Sequence, residues 1–189
     1  MRNKKFSLVL ILFVSFIWLI VFFVIPSKNL ISITGSTMGT TYEVKISDRA
    51  SQSINKISKD IDSILNLVNQ SMSTYILNSE ISIINNDTLQ NKVFKITDDF
   101  EYVLNKSLDY YIMTDGAFDV TVRPLLKLWG FKDEIIYKVP EPGLIKQTLK
   151  YVGSDNIIVK SNRFSKKNSK LQLDFGAIAK GYAVDKISS

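Results

Sequence analysis

Two segments pair carboxylates with small residues. The first runs from Thr114 as Thr-Asp-Gly-Ala-Phe-Asp-Val-Thr-Val-Arg-Pro-Leu-Leu-Lys-Leu-Trp-Gly to Phe131, and the second from Leu173 as Leu-Asp-Phe-Gly-Ala-Ile-Ala-Lys-Gly-Tyr-Ala-Val to Asp185. Glycine and alanine let a backbone approach a ligand closely, and the adjoining carboxylates and lysine suit a nucleotide and a hard cation. The chemistry this suggests is a pyrophosphate-and-metal site. In Asp174–Gly181 a strand enters and a helix leaves, so amides at the helix N-terminus can meet an anion while Lys180 adds a point charge. The spacing is not that of a P-loop, and a tight turn carrying a solvated lysine explains the bare pattern equally well. In Asp115–Asp119, Gly116 closes a helix, Ala117 leaves amides open to a ligand, and Asp119 is offered to a hydroxyl, a ring N–H or a metal-bound water. A helix-to-strand turn with Phe118 in the core is the simpler reading of that stretch, because Asp-Gly is a common turn pair.

Two weaker signals accompany these. Thr34-Gly-Ser-Thr-Met-Gly-Thr40 reads by composition as a linker, with a ligand-wrapping loop as the alternative. Tyr75, after Ser71-Met-Ser-Thr, is either a stacking surface or a buried tyrosine.

Composition narrows the chemistry. The 189 residues include no histidine and no cysteine, which removes the commonest general base, the commonest transition-metal ligand and any disulfide framework. Oxygen-ligated Mg²⁺ or Ca²⁺ stays open. The net charge is +6, and Arg2, Lys4 and Lys5 supply three of those charges, leaving +3 (6 minus 3) for the remainder. Lys166, Lys167 and Lys170 form a basic cluster without aromatic interleaving, which reads as a solvated turn rather than a nucleic-acid surface.

The elements that must position these groups follow from periodicity. Phe6 to Ile25 carries no charge, and about twenty residues at roughly 1.5 Å each match a bilayer core. The basic flank of residues 1–5 then predicts a transmembrane signal-anchor over 6–25, a cell-membrane protein with a single pass, a linker over 26–34 and residues 35–189 on the extracytoplasmic side. Thr41–Ser47 alternates as a strand. Ser51–Gln70 carries Ile54, Ile57, Ile61, Ile64, Leu65 and Val68 at helical spacing. A short helix over Ser79–Asn85 and a strand near Leu89–Phe94 precede Thr97, an expected N-cap. The helix it opens is expected to bury Phe100, Val103, Leu104, Leu108, Tyr111 and Ile112. Pro124 and Pro142 suit first turns of two further helices. Asn156–Lys160 and Lys170–Asp174 read as a hairpin joined by the lysine-rich turn. Without a regular strand–helix–strand rhythm, the fold class is α+β, with mixed helices and a largely antiparallel sheet preceded by one transmembrane helix. The chain stops at Ser189 inside an expected helix, so the domain is expected to be incomplete at its C-terminus.

Taken in order, Gly-Ser-Thr-Met-Gly-Thr, Met-Ser-Thr-Tyr with Ser-Glu-Ile-Ser-Ile-Ile-Asn, the Asp-Gly-Ala-Phe-Asp segment with Leu-Trp-Gly-Phe, and the Leu-Asp-Phe-Gly-Ala-Ile-Ala-Lys-Gly segment resemble the FAD:protein FMN transferase family, ApbE, over about Gly35 to Asp185. The resemblance implies an enzyme that binds FAD with Mg²⁺ and joins FMN to a threonine or serine hydroxyl of a partner protein, releasing AMP. That partner is expected to be membrane-associated. It also implies FAD contacts at Met38, Tyr75, Ala117, Phe118, Asp119, Asp174 and Lys180, and a metal ligand in the Ala177 carbonyl. Family members normally continue beyond this point, with further metal ligands and a histidine thought to act as base. The 189-residue chain is therefore expected to be inactive or nearly so, its catalytic base unassigned. The alternative is a module that binds FAD without transferring it.

Overall fold

The computed structural model describes residues 11, 13–18, 29–48, 53–131 and 139–189, and the chain divides into two compact units, Met1–Ser58 and Lys59–Ser189.

In the first unit, strands β1 (Asn29–Thr37) and β2 (Thr40–Asp48) form an antiparallel hairpin, paired from Asn29 with Asp48 to Thr37 with Thr40. The expected linker over 26–34 thus ends in strand from Asn29, and the Thr34–Thr40 run, read by composition as a linker, is the end of β1, its turn and the start of β2. Met38 and Gly39 make that two-residue turn with φ of 50° and 72°. Positive φ at both central positions matches the right-handed twist of the flanking strands. Gly35 faces Tyr42 across the ladder, and a Cβ there would lie 2.5 Å from the tyrosine ring. Gly35→Ala must displace that ring, and is expected to destabilise the hairpin by about 1–3 kcal/mol. A thermal melt with an unchanged midpoint would contradict this.

The expected membrane-spanning helix is corrected. Among the described residues no helix is long and apolar enough to cross a membrane. Of the segment 6–25, residues 11 and 13–18 are described, and they are helical. The rest of 6–25 lies outside the described residues. The cell-membrane location and the outward-facing domain, which rested on that helix, are corrected with it.

The second unit mixes helices with a small sheet, as an α+β chain should. Helix α1 (Ile54–Met72), in the second unit from Lys59 onward, buries Ile61, Leu65 and Val68, so the three-and-four spacing did report its inner face. Helix α2 (Glu80–Asn86) is capped by Ser79, whose hydroxyl accepts from the Ser82 amide. Strand β3 (Phe94–Lys95) is shorter than the expected Leu89–Phe94. Helix α3 (Asp98–Met113) is capped by Thr97, with Asp98, Asp99 and Glu101 in its first turn where the helix dipole favours acids. Its inner face is Phe100, Val103, Leu104 and Ser107, whereas Ile112, expected inside, is 76% exposed. Helices α4 (Arg123–Leu128) and α5 (Pro142–Leu149) each start with proline in the first turn. Helix α6 (Ala179–Ser188) ends the described chain.

The C-terminal hairpin differs from expectation. Strand β4 (Ile157–Lys160) pairs with β5 (Arg163–Lys166), not with Lys170–Asp174, and the sheet order is β3-β5-β4, all antiparallel. Ser161 and Asn162 turn the chain with φ of 52° and 57°, a left-handed pair that Asn tolerates well. This register also corrects the solvated lysine turn. Side chains alternate along β5, so Lys166 falls on the inner side with Phe164 and is fully buried, while Lys167 and Lys170 are exposed. Burial pulls the Lys166 ammonium below the usual lysine range, opposed by the nearby charge of Asp87. Under this sheet sits an aromatic core. The Phe100 ring lies 5.1 Å from Phe175 and 6.4 Å from Phe164, both in edge-on contact.

Candidate functional site

The two acidic segments run side by side. The Asp174 amide donates to the Val120 carbonyl at 2.8 Å, Val122 and Gln172 form a parallel bridge, and Arg123 Nη1 meets Asp174 Oδ2 at 3.3 Å. That ion pair is nearly closed to solvent, its side chains 8% and 18% exposed. The second Asp174 oxygen accepts the Gly176 amide at 2.8 Å, and a Cβ on Gly176 would sit 2.9 Å from that oxygen. A side chain at this position would have to displace the Asp174 carboxylate.

The chain after Asp174 reaches α6 by a tight turn. The Phe175 carbonyl accepts from Ile178 and Ala179 at 2.9 and 2.8 Å. Ile178 holds the N-cap position without a side-chain cap. Among the described residues, the Lys180 and Gly181 amides of the first turn have no acceptor, and no backbone amide donates to the Ala177 carbonyl. Lys180 itself is exposed. Unsatisfied amides at a helix start, next to an exposed lysine, make a place where an anion is favoured.

The Asp115–Asp119 loop is organised differently from the sequence expectation. Its amides are occupied: Gly116 donates to the Tyr111 carbonyl at 2.8 Å, Ala117 to the Thr114 carbonyl at 3.1 Å and Phe118 to the Thr114 hydroxyl at 2.9 Å. Asp115, at φ 50°, is the first left-handed residue after α3, and Gly116 at 79° follows it. Phe118 is half-buried, its ring 5.7 Å from Tyr110. Asp119 accepts from the amide and hydroxyl of Thr121 and from the amide and hydroxyl of Ser154. Its carboxylate thus fastens this loop to the turn before β4, while Ala117 is left exposed at the surface.

Tyr75 is 77% exposed, which removes the buried-tyrosine alternative. Its loop is anchored by Ser79 and Ser82, whose hydroxyls donate to the Ser73 carbonyl at 2.6 and 3.3 Å. Met38 lies in the first unit, at the left-handed position of the β-hairpin turn. A bulky side chain at positive φ is unusual and costs of order 1–3 kcal/mol, as strained functional positions often do.

Sequence reading missed the residues that hold these segments: Arg123, Thr121, Ser154, Asn85 and Lys166. Each is polar and buried, and none stands in a pattern that announces a partner distant in sequence. Only Lys166 left a usable trace, its place two residues from Phe164 on one strand face.

Comparison with known proteins agrees with the motif order. Residues 38–189 match the ApbE family. A FAD:protein FMN transferase of Haemophilus influenzae is 39% identical over 167 residues, covering 85% of this chain and 48% of that protein. One of Vibrio cholerae is 33% identical over 160 residues, covering 84% and 48%. The solved flavin transferase ApbE from Vibrio cholerae superposes with a TM-score of 0.81 at 32% identity, over 85% of this chain and 52% of that one. The apo flavinyl transferase ApbE of Pseudomonas stutzeri does so at 0.80 and 29%, with the same coverage. The chain spans about half the length of the curated relatives it matches. With the match running through every segment that builds the site, the chain belongs to the ApbE family.

Proposed function

We propose that this chain is part of a flavin transferase that takes FAD as substrate and joins FMN to a threonine or serine hydroxyl of an acceptor protein, with release of AMP. The observation that carries the reading is the pairing of segments 120–123 and 172–174, which sets the Asp174 carboxylate beside the anion-favouring start of α6. Asp174 accepts a hydroxyl or ring N–H of the dinucleotide, held in place by Arg123 and Gly176. Lys180 and the free amides of the α6 first turn meet the diphosphate. Ala117, Phe118 and Asp119 form a fixed wall, and Tyr75 offers apolar contact to the flavin or adenine ring.

Among the described residues there is no group of three or more His, Cys, Asp or Glu to cage a metal. Mg²⁺ does not need one, because it keeps several waters and takes substrate phosphate oxygens alongside one or two protein oxygens. The open Ala177 carbonyl fits as one such ligand. A bound Mg²⁺ would neutralise diphosphate charge there. In the reaction, the acceptor hydroxyl oxygen bonds to the FMN-side phosphorus, the bridging P–O bond breaks, and AMP leaves with that electron pair. Transfer of this kind depends mainly on positioning and charge neutralisation, and none of the residues named above is cast as the base that takes the hydroxyl proton.

The test is FAD titration of the chain, followed in the whole protein by an assay for AMP release and for flavin covalently attached to a threonine-bearing acceptor. Tight FAD binding without AMP release by the whole protein would favour the flavin-binding module instead. Lys180→Ala is expected to weaken FAD binding a few-fold at low salt and progressively less as salt rises, because an exposed charge is screened within about 3 Å at 1 M. A salt-independent loss would contradict an electrostatic role for Lys180.

A further inference from the structure

We propose that Asn85 and Lys166 form a buried clamp that positions the segment carrying Asp174. Residues 171–173 have the 120–122 segment on one side, and among the described residues no strand pairs with them from the other. Side chains take that role. The Asn85 amide donates to the Leu173 carbonyl at 2.8 Å, and its carbonyl oxygen accepts the Leu173 amide at 2.6 Å, so one side chain reproduces both bonds of a ladder rung. Gln172 returns a bond to the Asn85 backbone carbonyl at 3.0 Å. Lys166, fully buried, donates to the Ile84 carbonyl at 3.0 Å and the Leu171 carbonyl at 3.2 Å, joining the end of α2 to the start of the same segment.

Nothing in a core of this kind calls for a lysine or an asparagine, since leucine-like side chains would fill the volume without desolvating a charge. The polar pair instead meets backbone groups that would otherwise be buried without partners. The position this secures is that of the next residue, Asp174, and of the turn leading to Lys180. Asn85 and Lys166 touch no ligand in this scheme; they are positioning residues for the dinucleotide segment, and their effect on binding rests on the function proposed above.

Amide exchange and FAD titration together test the clamp. Asn85→Leu is expected to raise exchange at the Leu173, Asp174 and Gly176 amides at least about tenfold, while the α3 amides keep their protection, because two buried backbone groups lose their partners. In protein that circular dichroism shows to be fully folded, the FAD Kd is expected to rise by about tenfold or more. Asn85→Gln, which keeps both the donor and the acceptor of the side-chain amide, should give a smaller change in both, and covers the case in which Asn85→Leu does not fold. Lys166→Arg should stay closer to the parent than Lys166→Met in both readouts. Unchanged exchange at 173–176 in the Asn85 variants, or an FAD affinity that follows only the folded fraction, overturns the clamp. A parent protein that does not bind FAD would overturn the functional reading, and the exchange result would still decide the clamp.

Discussion

Asp174→Ala is expected to weaken FAD binding by about tenfold or more and to lower folding stability by about 3 kcal/mol. Two separate causes act. The binding loss comes from removing the carboxylate that accepts from the dinucleotide. The stability loss comes from Arg123, a guanidinium whose side chain is only 8% exposed and which loses its carboxylate partner at 3.3 Å. Removing the carboxylate takes away the opposite charge that offsets the desolvation of that guanidinium. The second substitution Arg123→Met separates the two effects. The double variant should regain much of the lost stability, since an apolar side chain of similar size suits that site, while FAD affinity stays low. Isothermal titration and urea melts of the single and double variants measure both. Parent-like affinity in Asp174→Ala would remove Asp174 from the proposed site. A double variant that regains FAD affinity along with stability would mean that Asp174 acts only by compensating Arg123.

The second large effect is expected at Phe175, the residue between Asp174 and Gly176. Its ring is fully buried and meets Phe100 edge-on at 5.1 Å, and its carbonyl receives the first two amides leading into α6. Phe175→Ala opens a cavity beside Phe100 and is expected to cost about 3–5 kcal/mol, a large share of the roughly 5–15 kcal/mol by which domains are stable. Phe175→Leu, closer in volume, should cost distinctly less. Because the ring anchors the turn that presents Ala177 and Lys180, FAD affinity should fall with stability in the alanine variant. A urea midpoint within about 1 kcal/mol of the parent would mean that the core closes around the lost ring, and that the turn is held by other contacts.

How far the sequence could be read depended on the range of the interaction. Helices α1, α2 and α3 were legible because their determinants are local. Ser79 and Thr97 cap by bonding amides three residues on, and Ile61, Leu65 and Val68 recur at the helical period. The four ordered motifs were legible as a family resemblance, since residue identity in order needs no geometry. The membrane helix was the main error. An uncharged run over 6–25 satisfies a length criterion, yet among the described residues no helix meets it. The C-terminal hairpin was misplaced because Ser161-Asn162 carries no glycine to mark a turn, and the error in register put Lys166 in solvent rather than in the core.

By itself, then, the sequence determined the α+β mixture, the capped helices and the family, because capping, periodicity and motif order are written within a few residues of one another. Only the tertiary structure decided that Asp119 is a fastening for Thr121 and Ser154, that Arg123 lies against Asp174, and that Asn85 and Lys166 bond backbone groups of Leu173 and Ile84. Apart from Asp119 with Thr121 and Lys166 with Leu171, those contacts join residues 35 to 88 positions apart. Buried polar groups are satisfied by whatever the fold brings near them, and no local pattern specifies that neighbour.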